Sequence, residues 1–291
     1  MRGIIFRAVG GFFDVRSEDG TVYRCSARGR FKMKGTAPMV GDRVSVTVLT
    51  PSEGVLEGVD ERRTLLKRPP IANVDQVVVV CAPQEPPMSL QLLDRLLVLA
   101  ESQFLEAVIC MNKEDLSLGG EDVMMAEVYG SAGYPVIFTS ALLGHNIEQL
   151  KEKLCSRISV LAGQSGVGKS SLLNQVQPGL SLRTGEISDK LKRGRHTTRH
   201  VELLILECGG FVADTPGFSQ LELSDVASNE LPHFFPEFKD HALYCRFKSC
   251  MHRGEPDCAV KEAVDTGKIA ASRYENYLTF LEETRAQERS Y

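Results

Sequence analysis

A glycine-rich run at residues 163–170 has the residue types and the spacing that hold a polyphosphate. It reads Gly-Gln-Ser-Gly-Val-Gly-Lys-Ser and fits the pattern G-x-x-x-x-G-K-[ST]. Glycines let backbone N–H groups turn around phosphate oxygens, and a helix that begins near Lys169 adds the positive end of its dipole. We expect Lys169 to contact the β- and γ-phosphates and Ser170 to offer its hydroxyl to Mg²⁺. An apolar strand before the run and a helix after it complete the expected context.

A second run, Asn112-Lys-Glu-Asp115, follows another apolar strand and could read a guanine base. The Asp115 carboxylate could accept hydrogen bonds from the guanine N1–H and exocyclic amine, a pattern that adenine lacks. We expect Asn112 to hold the O6/N7 edge and the Lys113 stem to lie along the base. Ser140-Ala141 follows a further strand and could direct a backbone N–H to O6. Open α/β sheets bind ligands at such strand ends.

The run Asp214-Thr-Pro-Gly217 ends a later strand and is typical of the metal and γ-phosphate end of such a site. We expect Asp214 to hold Mg²⁺ through water, Gly217 to donate its amide to the γ-phosphate, and Thr198 to close on Mg²⁺. The predicted magnesium residues are Ser170, Thr198 and Asp214. The predicted GTP-binding residues are Asn112, Lys113, Asp115, Ser140, Ala141, Gly163, Gln164, Ser165, Gly166, Val167, Gly168, Lys169, Ser170, Ser171 and Gly217.

Hydrolysis needs a group that orients the attacking water. Many GTPases place a glutamine directly after Asp-x-x-Gly, but this chain has Phe218 there, which cannot do it. His196 and His200 flank Thr198, and His196, on the loop side, is the predicted water-positioning residue. The predicted catalytic residues are therefore His196 and Lys169, and His200 is interpreted as structural.

A cluster near the C-terminus has the composition of a metal site. Cys245-x4-Cys250-x-His252-x5-Cys258 places three thiols and an imidazole within 14 residues. Four protein ligands suit a closed tetrahedral zinc site, which is structural because no position remains for a reacting water. Arg246, Lys248 and Arg253 nearby could contact RNA or could be ordinary surface charge.

The elements that must position these residues divide the chain into three predicted parts. Residues 1–68 read as short strands punctuated by glycines, which is typical of a small β-barrel, and an SH3-like barrel would give similar local signals. Residues 69–225 alternate apolar strands with helices, which predicts a mostly parallel three-layer α/β domain. Residues 226–291 are mostly helical around the Cys/His cluster. The motif order, with the guanine reader before the phosphate loop, is the usual GTPase series cut and rejoined, which is a circular permutation.

This combination resembles the circularly permuted, ribosome small-subunit-dependent GTPases of bacteria, the RsgA family. The resemblance rests on the runs "VGDRV", "RPPIANVDQ", "NKED", "TSA", "GQSGVGKSSL", "GRHTT" and "DTPGF", together with the Cys/His cluster. It implies an N-terminal OB-fold, a permuted GTPase core and a C-terminal zinc domain. It also implies GTP hydrolysis stimulated by the 30S subunit during late maturation, with His196 serving hydrolysis. Many relatives carry a further threonine where this chain has Arg199, a departure that does not affect Thr198.

The charge of the chain is unevenly distributed. The 291 residues carry a formal net charge of −4, but residues 1–45 hold nine Lys and Arg against four Asp and Glu, either a phosphate-facing patch or a solvated face. We find no secretion signal and no run long enough to span a membrane. We expect a cytoplasmic monomer that binds GTP and GDP, Mg²⁺, one structural Zn²⁺, the 30S subunit and its 16S rRNA. Two other classes, a P-loop ATPase or kinase and a non-enzymatic RNA-binding protein, compete with the GTPase hypothesis.

The remaining cysteines are scattered, and in a reduced compartment we expect them to be buried thiols rather than disulfide partners. They are Cys25, Cys81, Cys110, Cys155 and Cys208.

Overall fold

The computed structural model describes residues 1–27, 37–67, 69–117, 119–180, 182, 201–213 and 223–289, and of residues 121–123 only the backbone. Four residues of the predicted site therefore lie outside the described residues. They are His196, Thr198, Asp214 and Gly217.

The N-terminal segment forms a closed five-stranded barrel. Its strands are β1 (Arg2–Val9), β2 (Phe12–Ser17), β3 (Val22–Ala27), β4 (Arg43–Thr50) and β5 (Glu53–Val59). Around the barrel they follow the order β1-β2-β3-β5-β4, with β3 parallel to β5. Alternating residues such as Ile5, Val44 and Val46 are buried inside. This is the five-stranded arrangement of the OB-fold, and that prediction is confirmed.

A small hairpin, β6 (Leu65–Lys67) with β7 (Pro70–Ala72), connects the barrel to the next unit. The division predicted after residue 68 falls between these two paired strands. The hairpin also touches the barrel, because Asn73 directly after β7 donates from its amide nitrogen to the Gly41 carbonyl at 3.0 Å.

A six-stranded sheet forms the centre of the molecule. Its strands are β8 (Gln76–Cys81), β9 (Glu106–Asn112), β10 (Val136–Thr139), β11 (Ile158–Ala162), β12 (Leu203–Ile205) and β13 (Phe211–Ala213). They lie in the order β10-β9-β8-β11-β13-β12, and all neighbours are parallel except β12, which runs antiparallel to β13 at one edge. Every residue of β8 is buried, as its unbroken apolar run predicts for a strand covered on both faces.

Helices cover the two faces of this sheet. They are α1 (Leu90–Ser102), α2 (Glu121–Ser131), α3 (Ile147–Leu154) and α4 (Lys169–Val176). Helices α1 and α2 share a core with Val77 and Val79, whereas α3 and α4 share a core with Val78 and Val80. Alternate residues of β8 thus face opposite layers, and the three-layer α/β prediction is confirmed. Helix α2 was not predicted, because its sequence has no single apolar stripe.

The C-terminal unit packs against α1. Two short 3₁₀ turns, Leu231–Phe234 and Pro236–Phe238, precede α5 (Lys239–Ala242), α6 (Ala259–Asp265) and α7 (Ala271–Arg289). Its core includes Phe235, Phe238 and Tyr277, and Val98 of α1 is part of the same cluster. Among the helices of the described ranges, none combines the length and the apolar character that a bilayer crossing requires.

A buried charge network fixes this packing. Arg273 of α7 donates to Asp94 of α1 at 2.8 Å and forks onto both oxygens of Glu237 at 2.7 and 2.9 Å. The Tyr129 hydroxyl of α2 also donates to Asp94, at 2.7 Å. Both partners of the Arg273–Asp94 pair have side chains only 1% exposed. Removing one partner of such a network would leave a buried charge uncompensated, which is strongly destabilising.

One prediction about cysteines is wrong. Cys155 and Cys208 form a disulfide, with Cα atoms 5.2 Å apart, whereas Cys25, Cys81 and Cys110 are buried free thiols as predicted. Cys155 directly follows α3, and Cys208 lies in the turn between β12 and β13. The two segments meet because β11, which follows Cys155, pairs in parallel with β13. This proximity across 53 residues is set by sheet order, which local composition does not encode.

Candidate functional site

The glycine-rich run lies between β11 and α4, at the end of the sheet where the parallel strands finish. Gly163 has a φ of 137°, and a Cβ there would lie 2.0 Å from the Val80 carbonyl oxygen of the neighbouring strand. Gly168 has a φ of 95°, and a Cβ there would lie 2.3 Å from the Asn112 amide nitrogen. Both positions therefore need glycine for conformation and for space. The loop is pressed against the ends of β8 and β9, to which Val80 and Asn112 belong.

Lys169 and Ser170 open α4 directly after this loop. The Lys169 ammonium folds back and donates to the carbonyls of Gly163 at 2.8 Å and Gln164 at 2.7 Å. Ser170 is buried at the helix start. The first amides of α4 and its dipole add partial positive charge at the same point. The arrangement suits a bound polyanion, as the sequence predicts.

Asn112 joins the guanine-reading run to the phosphate loop. Its side chain is buried, and its amide nitrogen donates to the Val167 carbonyl at 2.8 Å. Its amide oxygen accepts from the Ala141 backbone N–H at 3.1 Å and from the Thr139 hydroxyl at 3.3 Å. Three separate segments of the chain therefore meet at one side chain. Protein groups bond both ends of this amide. The contact of Asn112 with the base edge therefore stays a prediction.

The remaining base-reading residues surround the same point. Asp115 is exposed in a short 3₁₀ turn and accepts a hydrogen bond from the buried Ser140 hydroxyl at 2.5 Å. Lys113 has a left-handed backbone with φ of 62°, and its ammonium donates to the Glu85 carbonyl at 2.5 Å. Glu85 belongs to the loop between β8 and α1, which no sequence motif marked. Gln175 of α4, also unmarked, donates to the Ala141 carbonyl at 2.8 Å.

The described residues thus bring together the predicted phosphate loop, guanine reader and Ser-Ala loop. The predicted water-positioning His196 and the magnesium residues Thr198 and Asp214 lie outside them, as does Gly217. Of the three predicted magnesium residues, Ser170 is the one that the described ranges contain.

The Cys/His cluster near the C-terminus also converges. The ligand atoms of Cys245, Cys250, His252 and Cys258 all lie within 4.8 Å of one another. His252 Nδ1 is 3.6 Å from the Cys245 sulfur and 3.4 Å from the Cys258 sulfur, and these two sulfurs are 3.9 Å apart. A tetrahedron with Zn–S bonds of about 2.3 Å has edges of about 3.8 Å. The donor set and its spacing fit a zinc ion.

Burial favours the neutral forms of Cys250, Cys258 and His252. Burial raises the pKa of the Cys250 thiol to about 12 and also raises the pKa of Cys258. Burial lowers the pKa of His252, which favours the neutral imidazole that binds metals. Thiolates would be costly in this setting without a metal to neutralise them.

The loop between the ligands is shaped by its own hydrogen bonds. Glu255 accepts from the amides of Met251, Arg253 and Gly254 at 2.9 to 3.0 Å. Burial opposes the ionisation of Glu255, but these backbone donors together lower its pKa to about 2. Tyr274 of α7 donates to the His252 carbonyl at 2.6 Å. The ligand loop is therefore anchored to the helical part of its own unit.

Comparisons with known proteins agree with this geometry. A sequence model of the RsgA GTPase family matches residues 59–224, and one of the RsgA N-terminal domain matches residues 2–56. The small ribosomal subunit biogenesis GTPase RsgA of Moorella thermoacetica is 52% identical over the full length of both chains. Its namesake from Geobacillus thermodenitrificans is 47% identical over 99% of each.

Two solved structures share the fold over nearly the whole chain. The crystal structure of YjeQ from Thermotoga maritima is 44% identical, covers 97% of this chain and 98% of its own, and superposes with a TM-score of 0.85. The structure of YloQ, described as a circularly permuted GTPase, is 38% identical, with 98% and 95% coverage and a TM-score of 0.84. The permuted α/β architecture predicted from the motif order is confirmed. The chain belongs to the RsgA family of ribosome-biogenesis GTPases and is a GTP-hydrolysing enzyme.

Proposed function

We propose that this chain binds the small (30S) ribosomal subunit, hydrolyses GTP there during late maturation of the subunit, and is stimulated by the subunit. The name of its curated relatives, small ribosomal subunit biogenesis GTPase, supports the partner. The observation that best supports nucleotide binding at one site is the position of the Asn112 side chain. It hydrogen-bonds the phosphate loop at Val167 and the Ser-Ala loop at Ala141. A nucleotide held by one of these loops lies within reach of the others.

In this proposal Asp115 reads the base, Lys113 and the Ser140–Ala141 loop flank it, and residues 163–171 bind the phosphates. Adenine presents no donor pair to Asp115, so ATP binding would leave the carboxylate without its partners. Within the phosphate loop, the Lys169 ammonium exchanges its loop carbonyls for phosphate oxygens when nucleotide binds.

For the metal and the chemistry, we propose that Ser170, Thr198 and Asp214 hold Mg²⁺ and that Gly217 meets the γ-phosphate. Bound Mg²⁺ would neutralise charge that develops on the phosphates. His196 would orient the attacking water, and Lys169 would stabilise the transferred group. Phe218 has no group that could replace a glutamine in this role.

We assign one structural Zn²⁺ to Cys245, Cys250, His252 and Cys258. All four positions of a tetrahedron are then filled by protein, so the ion fixes the module and takes no part in hydrolysis.

We further propose a division into an OB-fold domain (1–68), a GTPase domain (69–225) and a zinc module (226–291), with the outer two contacting 16S rRNA. Exposed rings beside the zinc ligands support an RNA surface, since Tyr244 is 81% and Phe247 43% exposed.

Two basic residues there, Arg246 and Arg253, pair with Asp257 and Glu282 across exposed surfaces. Phosphates could compete for such pairs at little cost. We expect a monomer in the cytoplasm, where the subunit is assembled.

The experiment is a GTP turnover assay with and without purified small subunits. We expect slow basal turnover that the subunit raises well above the basal rate, and GTP rather than ATP as substrate. Lys169→Ala should abolish turnover, whereas the matched control Lys151→Ala, on α3, should not. Equal binding of GTP and ATP would favour a P-loop ATPase or kinase. No response to the subunit would contradict the proposal.

A second variant tests the chemical step. His196→Ala should keep GDP affinity near that of the unaltered chain and lose most stimulated turnover, because it removes a water-orienting group and no binding contact. Turnover equal to that of the unaltered chain would remove His196 from the proposal.

A further inference from the structure

A closed ring of contacts surrounds the proposed guanine reader. Asp115 accepts from the Ser140 hydroxyl at 2.5 Å. Ser140 and His145 exchange two backbone hydrogen bonds, at 3.3 and 3.1 Å. The His145 Nδ1 atom lies 3.0 Å from a Glu114 carboxylate oxygen, and Glu114 is the residue directly before Asp115. The ring of Glu114, Asp115, Ser140 and His145 therefore returns to its starting point.

Ser140 and His145, which lie opposite Glu114 and Asp115 in this ring, are held in place by further hydrogen bonds. Ser140 is fully buried, and its hydroxyl also accepts from the Leu143 amide at 3.1 Å. Asn146, next to His145, donates from its amide nitrogen to the Phe138 carbonyl of β10 at 2.8 Å. The loop that carries His145 is thus tied to the sheet at both ends. A side chain held by His145 is held relative to the sheet.

The pair of Glu114 and His145 is a weak candidate for stabilising the fold. The His145 side chain is 56% exposed and that of Glu114 is 25% exposed. Such pairs contribute about 1 kcal/mol or less to folding. Their position matters more, because Glu114 and Asp115 share one short 3₁₀ turn, and fixing the first restricts the second.

We propose that His145 is a positioning residue for guanine recognition, which acts through Glu114 to hold Asp115 at the base edge. This inference rests on the proposed function, in which Asp115 reads guanine. Asp115 is exposed in its 3₁₀ turn, and within the described ranges Ser140 is the residue whose side chain bonds it directly. Preorganised acceptors bind more tightly because less freedom is lost on binding.

The experiment measures dissociation constants for GDP on the full chain by competition against a fluorescent GDP. His145→Ala should weaken GDP binding about threefold to fivefold, the factor that corresponds to the loss of one ordinary hydrogen bond. His145→Gln, which keeps a donor toward Glu114, should restore most of the affinity. Leu142→Ala, 80% exposed in the same loop, is the matched control and should bind GDP like the unaltered chain.

A double-mutant cycle separates positioning from a general structural effect. With Asp115→Ala already in place, adding His145→Ala should change the GDP dissociation constant less than twofold, because the group to be positioned is gone. An equal loss in both backgrounds would overturn the inference, and so would His145→Ala behaving like Leu142→Ala. The proposed function is tested separately by the unaltered chain. If that chain did not prefer GDP to ADP, the proposed function would fail and this inference with it, whereas a preference for GDP with no effect of His145→Ala would overturn the inference alone.

Discussion

At the scale of single residues, the proposal assigns the choice of base to the Asp115 carboxylate, which is exposed and accepts from the Ser140 hydroxyl. Asp115→Asn replaces an acceptor by a donor at the point where guanine presents two N–H groups. Two charge-assisted hydrogen bonds at about 1.5–3 kcal/mol each predict a loss in GDP affinity of roughly 100-fold or more. Xanthosine diphosphate, which presents a carbonyl in place of the amine, should gain affinity.

Calorimetric titration with the two nucleotides checks this prediction. Asp225→Asn, the same exchange in an exposed ion pair with Lys67, is the control and should leave both affinities unchanged. An Asp115→Asn protein that still bound GDP as tightly as the control would show that another group reads the base.

Gly163 allows a second prediction at the scale of single residues. Gly163→Ala would place a methyl group 2.0 Å from the Val80 carbonyl, so the phosphate loop must shift away from β8. We expect GDP affinity to fall at least about tenfold, because the loop amides lose their common direction. Gly179→Ala, where a Cβ meets nothing within 4 Å, should bind nucleotide normally. Equal affinities in the two variants would contradict the tight approach.

Local sequence motifs predicted the site residues that lie close together in sequence, but they did not predict contacts between distant segments. The spacing of Gly163, Gly168 and Lys169 encodes the phosphate loop directly, so that segment was predictable. The bonds of Asn112 to Val167 and Ala141 were not predictable, because these residues lie 55 and 29 positions away in sequence. The Glu85 carbonyl at Lys113 was likewise unpredictable, since any residue supplies a carbonyl.

At the scale of elements, α1 connects the GTPase sheet with the C-terminal unit. Arg273→Ala would leave Asp94 and Glu237 buried beside an unfilled space, which is expected to lower the free energy of unfolding by about 3–5 kcal/mol. Arg253→Ala removes an exposed pair with Glu282 and should lower it by about 1 kcal/mol or less. Urea unfolding of both variants measures the difference. Equal changes would mean that the buried network adds nothing beyond surface charge.

The zinc module gives the second prediction at this scale. Cys250→Ser should reduce bound zinc from about one ion per chain toward none, because one of four ligands is lost. Affinity for zinc should also fall as the pH is lowered, since protons compete for the thiolates. Metal analysis after dialysis gives the stoichiometry, and His233→Ala, an exposed histidine of the same unit, is the control. Undiminished zinc in Cys250→Ser would exclude this cluster as the site.

Strands and helices with a clear pattern of apolar residues could be predicted from the sequence, and elements without such a pattern could not. The apolar run of β8 and the periodicity of α1 led directly to their places in the sheet and its cover. The helix α2 lacks one apolar stripe, so tertiary packing of residues such as Tyr129 decides its position. The disulfide of Cys155 with Cys208 depends on the pairing of β11 with β13, which no single segment determines.

At the scale of the whole molecule, the rearranged motif order leaves the geometry of the site in place. The strands β8, β9, β10 and β11 all run parallel, so loops from both halves of the sequence leave the same end of the sheet. The link that makes this possible is α3, which leads from β10 into β11. The barrel meets the edge of the sheet through Arg16, which donates to the Leu206 carbonyl at 3.1 Å. That contact joins two units and could not be predicted from either alone.

The central claim is that the two halves of the rearranged sequence build one nucleotide site, and a crystal structure with bound GDP and Mg²⁺ tests it most directly. We predict a single GDP whose base meets Asp115 and whose phosphates lie on residues 163–170, with Asn112 between them. A nucleotide whose phosphates occupied that loop while its base pointed away from Asp115 would contradict the account.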